Sequence, residues 1–160
     1  MKKHTNLFKG LVAGFIAITA NTLFLKAAPL LHVAAESGGL LKLVLLYTKQ
    51  YLPSNVLSLT KTTGFWLLFH YLTGFGMVLM YVYLFEPLLP GKGWVKGSLF
   101  SLLPWLINGC IVLPLLGQGF IGVHQLTTAG MIYFFIANWI FGLVLGVVYE
   151  HLSKKTIGMI

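Results

Sequence analysis

Apolar positions run in four long blocks, near residues 8–27, 63–85, 97–117 and 130–149, separated by stretches that carry Lys, Pro, Gly and Asn. Each block approaches the ~20 residues a helix needs to cross a hydrocarbon core of about 30 Å. Gly and aromatic residues interrupt any period-two alternation, and the blocks exceed the ~10 residues of a membrane β-strand. A helix in lipid satisfies its own backbone groups. The pattern therefore predicts an all-α polytopic protein with four transmembrane helices in one integral membrane domain, residues 1–160.

The first connection, residues 27–62, has its own pattern. After Pro29 and the breaker "SGG" at 37–39, "LLKLVLLYTKQYL" at 40–52 sets Lys42 and Lys49 seven apart on one helical face, with leucines over the rest and Tyr47 and Tyr51 following. This predicts an interfacial helix lying on the outer leaflet, with a lid or partner-docking helix as the alternative.

The blocks repeat. An offset of 87 pairs Lys9 with Lys96, Gly10 with Gly97 and Asn21 with Asn108; an offset of 68 pairs His70 with Asn138, Gly74 with Gly142 and Tyr81 with Tyr149. Spans one and two thus match spans three and four in the same direction. The expected relation is two parallel two-helix pseudo-repeats about an axis along the membrane normal.

At ~1.5 Å per residue, Asn21, His70, Asn108 and Asn138 all fall roughly 9–13 Å below the outer surface. Polar groups facing lipid are costly, so the four are expected to point inward as one polar layer, for packing or for binding. Gly10, Gly14, Gly74, Gly142 and Gly146, with Ala13 and Ala17, read as helix-packing positions on the same seam. Phe134 reads as lipid-facing. His124, in the third connection, is a candidate for the outer mouth above His70.

Composition confirms the solvent: 58% of residues are hydrophobic and 9% charged, too little polar surface for a soluble domain of 160 residues. Charge orients the chain. Lys2, Lys3 and Lys9 precede span one, Lys92 and Lys96 lie in the short second connection, and Lys154 and Lys155 follow span four, whereas "GQGFIGVHQLTTAG" has no charge. The positive-inside rule puts both termini and the Lys92–Lys96 loop in the cytoplasm, with Lys26, Lys42, Lys49 and Lys61 dissenting from a long loop. The start "MKK", an apolar stretch and "HVAAES" also have the look of a signal peptide cleaved after Ala35, but residues 9–21 match span three, which favours retention.

Candidate chemistry is sparse. The chain has neither Asp nor Arg, and its acids are Glu36, Glu86 and Glu150. That excludes a carboxylate cage for Mg²⁺, a bidentate phosphate clamp and hydrolytic triads, so no enzyme, cofactor or metal site is expected. Glu86 and Glu150 read as solvated carboxylates paired with Lys92 or Lys154 at span ends. The lone Cys110 reads as a small packing residue. A net charge of +8 serves topology and the anionic inner leaflet rather than nucleic acid, leaving the lipid bilayer and a membrane-protein partner or second copy as the expected partners.

The stretch "LLPGKGWVKGSLFSLLPWLINGCIVLPLLGQGF" at 88–120, with "FHYLTGFG" at 69–76 and "FGLVLGVVYE" at 141–150, resembles small uncharacterised four-helix bacterial inner-membrane proteins of the YagU-like kind. The resemblance implies a bacterial inner membrane and a four-helix fold, and leads one to expect His where this chain has Asn138. It brings no catalytic residue. Three function classes stand: a non-enzymatic structural or accessory membrane protein, a small-molecule or ion carrier using the polar layer, and a haem- or quinone-associated redox subunit using His70 and His124.

Overall fold

The computed structural model describes residues 2–35 and 38–157. Glu36 and Ser37, the start of the "SGG" breaker, lie outside the described residues. So do the side chains of Lys2, Lys3 and Lys155.

Among the described residues the fold is all-helical. It has helices α1 (Lys2–Ala27), α2 (Gly39–Thr48), α3 (Ser54–Thr60), α4 (Thr63–Leu88), α5 (Gly93–Leu115) and α6 (Thr128–Ile157). α1, α4, α5 and α6 are each long and apolar enough to cross a membrane. Their starts follow local chemistry. The Thr62 hydroxyl caps α4 by accepting from Phe65 N at 3.2 Å, and the Thr127 hydroxyl accepts from Gly130 N at 3.1 Å. α5 begins at Gly93 rather than near residue 97 because a carboxylate from another helix reaches its first turn: Gly93 N donates to Glu150 Oε2 at 2.9 Å. Gly91, at φ +97°, supplies the left-handed turn between α4 and α5.

Neighbouring helices follow the order α4, α1, α6, α5 around the bundle. α5 and α6 pack backbone to backbone. Gly93 and Gly97 on one helix interlock with Gly142 and Gly146 on the other, so that a Cβ on any of the four would strike a carbonyl oxygen opposite. This is a paired small-xxx-small contact, the geometry that lets helices associate in lipid by close approach. On α1, Gly10 and Gly14 face Val82 and Val78 of α4, and Gly74 of α4 faces Ile18, leaving 2.8, 2.5 and 2.7 Å for an added Cβ. Ala13 and Ala17 of α1 are fully buried, and α1 also packs against α6.

In this order the diagonal pairs are α1 with α5 and α4 with α6, which are the pairs matched by the sequence repeat. Gly10 contacts α4 as Gly97 contacts α6, and Gly74 contacts α1 as Gly142 contacts α5. The halves depart from symmetry at one place. α1 and α6 are in contact along much of their length, whereas their counterparts α5 and α4 meet at Phe100, Tyr81 and Phe85 near the lysine-bearing end and stand apart further along.

The first connection does more than lie on a surface. Val44, Leu46, Tyr47 and Tyr51 are exposed, but Gly39 and Leu41 are buried, with Gly39 against Val112, Leu113 and Asn108 of α5. The first turn of α2 is inserted between the spans, and α3 adds a second short helix that the apolar pattern did not single out.

Candidate functional site

Where α4 and α5 separate, the bundle holds a cavity of about 130 Å³. Asn21 of α1, His70 of α4, Asn108 of α5 and Asn138 of α6 all line it, one from each span, and Gly38 to Leu41 of α2 cover it. Apolar groups, notably Trp66, Phe69, Phe134 and Phe141, complete the wall.

Local helix chemistry positions each polar side chain. Asn108 Nδ2 donates to Pro104 O at 2.9 Å and Asn138 Nδ2 to Phe134 O at 2.8 Å, each reaching back one turn on its own helix. Asn21 behaves differently: it is buried, and its Nδ2 crosses to α6, donating to Ala137 O at 2.7 Å. The symmetric counterpart of that bond would run from Asn108 to α4. It is not formed, because α4 stands away at that level and the cavity lies between. His70 stacks on Trp66, with ring centroids 5.0 Å apart and planes at 7°, and its Nε2 is buried with no hydrogen-bond partner.

Two prolines shape the spans, Pro114 at the cavity end of α5 and Pro87 at the lysine-bearing end of α4. A π-helical stretch at Asn108–Val112 precedes Pro114 in α5, and another at Tyr81–Phe85 precedes Pro87 in α4, the same arrangement shifted by 27 residues. A proline ring clashes with the carbonyl four residues back, and widening the preceding turn relieves the clash. In α5 the widened turn begins at Asn108 itself.

Several expectations need correction. Phe134 is buried in the cavity wall rather than facing lipid. Cys110 is exposed on the outside of α5, not packed. Glu86 pairs with Lys96 rather than Lys92: Lys96 Nζ lies 3.0 Å from Glu86 Oε1 and donates to Glu86 O at 2.7 Å. Glu150 does pair with Lys154, at 2.6 Å, besides capping α5. His124 is exposed in the third connection, 3.4 Å from Gly117 O, and does not line the cavity, so His70 and His124 do not form one site.

The sequence reading passed over Trp66 and Pro104 and put Phe134 in lipid, yet one signal marks all three. Each stands four residues before a polar cavity residue (His70, Asn108 and Asn138) and therefore on the same helix face. Tyr133, whose hydroxyl donates to Phe24 O at 2.5 Å and ties α6 to α1, carries no comparable signal.

A bundle of four membrane-length helices with a polar-lined cavity between them defines a polytopic α-helical membrane protein. Within that class the chain belongs to a family of unknown function, DUF6789, whose model matches residues 4–158. Neither a curated protein nor a solved structure matches it.

Proposed function

We propose that this chain is a non-enzymatic multi-pass protein of a bacterial inner membrane, akin to the YagU-like proteins, that binds a small molecule in the cavity between its spans. Both termini and the Lys92–Lys96 loop face the cytoplasm in this reading, and the cavity lies in the outer half of the bilayer under α2. The partners are the surrounding lipid and the bound molecule, with a second copy of the chain as a further one.

One observation carries the binding reading. Four polar side chains from four spans surround space where the helices could have closed, in a bundle whose other contacts are drawn tight by glycine. Interhelical glue would use its polar groups on the neighbouring helix, as Asn21 does. Asn108 and Asn138 instead keep their amide bonds on their own helices and His70 Nε2 has no partner, and concave, mostly apolar space with a few convergent polar groups is how small-molecule sites are built.

Thiol accessibility tests this. With Cys110 replaced by alanine, Thr73→Cys places a thiol in the cavity wall. A small water-soluble methanethiosulfonate should label it in lipid nanodiscs. Labelling no faster than that of a buried-core control, Ala137→Cys, returns the four residues to a structural role.

A further inference from the structure

Resting on that reading, we infer that the cavity's ligand is an uncharged, ring-bearing lipophile with a single hydrogen-bonding group, and that ions of either sign are rejected. Few charges stand near the site. Among the described residues no Asp, Glu, Lys or Arg lines the cavity, and the ionisable one that does is His70. The two described carboxylates are engaged at the lysine-bearing end, Glu86 by Lys96 and Glu150 by Lys154. A buried ion is tolerable only when paired, because its lost hydration is not otherwise replaced. Among the described lining residues a cation would meet no carboxylate, and an anion no lysine or arginine.

Uncharged polar groups are served well. Each asparagine amide has Nδ2 on a main-chain carbonyl, which orients it, yet keeps a second N–H and a carbonyl oxygen. Asn108 Oδ1 lies beside Gly39 under the cover of α2. His70 adds its ring face to the wall, its Nε2 being buried without a partner. The asparagine amides can donate to or accept from one hydroxyl, carbonyl or amide, while the rest of the wall can only pack.

The size and the walls point to a ring. The volume of about 130 Å³ is close to that of an engineered apolar cavity of about 150 Å³ that takes benzene. The stacked Trp66 and His70 present a flat π-surface along one side, with Phe69, Phe134 and Phe141 around it, and aromatic groups favour offset or edge contacts with another ring.

Three isosteres differing in charge provide the test: benzyl alcohol, benzoate and benzylammonium, titrated against the full chain in lipid nanodiscs and followed by tryptophan fluorescence. Benzyl alcohol should give a saturable change that is lost in Trp66→Phe and weakened in Asn108→Leu. Each ion should bind at least about a hundredfold more weakly, since it enters unpaired. Preferential saturable binding of benzoate or of benzylammonium overturns the assignment of an uncharged ligand and leaves the binding reading in place. No saturable response to any of the three also overturns it, and the Thr73→Cys labelling then decides whether the binding reading falls too.

Discussion

Tyr81 and Tyr149 meet edge to face, with ring centroids 6.0 Å apart and planes at 89°, and they occupy matched positions in the two halves of the chain. Residues related by a two-fold axis touch each other only close to that axis. The tyrosine pair therefore marks where the axis passes at the lysine-bearing end, sealed there by Phe85 and Phe100. Two further matched pairs, Asn21 with Asn108 and His70 with Asn138, surround the cavity further along.

The seal rests on ring packing rather than on the Tyr81 hydroxyl, which is buried without a hydrogen-bond partner. Tyr81→Phe should leave stability unchanged or raise it by up to ~1 kcal/mol, because an unsatisfied group is removed. Phe100→Ala, at a fully buried position, should cost roughly 3 kcal/mol or more. Unfolding in mixed micelles on addition of SDS would measure both; a large loss for Tyr81→Phe would reveal a bond the hydroxyl makes.

Glycine matters where backbones touch. Gly142→Leu would drive a Cβ into the Gly97 carbonyl and to 2.6 Å from Ser101 Cβ, so it should destabilise the bundle by about 1–3 kcal/mol or more. Gly76, on an open face of α4 with nothing within 4 Å, provides the control: Gly76→Leu should be neutral or slightly stabilising. Equal melting temperatures for the two variants would rule out the α5–α6 contact.

The three asparagines should separate in cost. Asn21→Leu removes a buried bond that ties α1 to α6, at a cost of about 0.6–2 kcal/mol. Asn108→Leu and Asn138→Leu remove bonds within one helix and should change stability by less than ~0.5 kcal/mol, because these bonds tie no second helix. The proper lipid-facing comparison is Leu72, which is exposed, not Phe134. Similar large losses for all three asparagines in thermal melts would point to a polar network across the bundle.

Orientation is open to direct measurement. In a Cys110→Ala background, Trp94→Cys and His124→Cys place exposed thiols at opposite ends of the bundle. An impermeant maleimide added to intact cells should label position 124 and spare 94, as the positive-inside rule expects. The reverse pattern would invert the topology and put the cavity in the inner half of the membrane.

The sequence by itself determined the element type and the spans, because the bilayer makes length and apolarity decisive: the blocks at 63–85 and 130–149 lie within α4 and α6. It also carried the repeat, since duplicated frames keep the same glycines and amides at the same depth. Tertiary structure alone decided what those residues do. Gly93 and Gly97 became partners of Gly142 and Gly146 only when α5 met α6, and Phe134 faces the cavity only because α4 and α5 part beside it. Nor could periodicity place the first turn of α2 among the spans. A helix's own pattern says which face is apolar; whether lipid, another helix or empty space lies against that face depends on how neighbouring backbones pack.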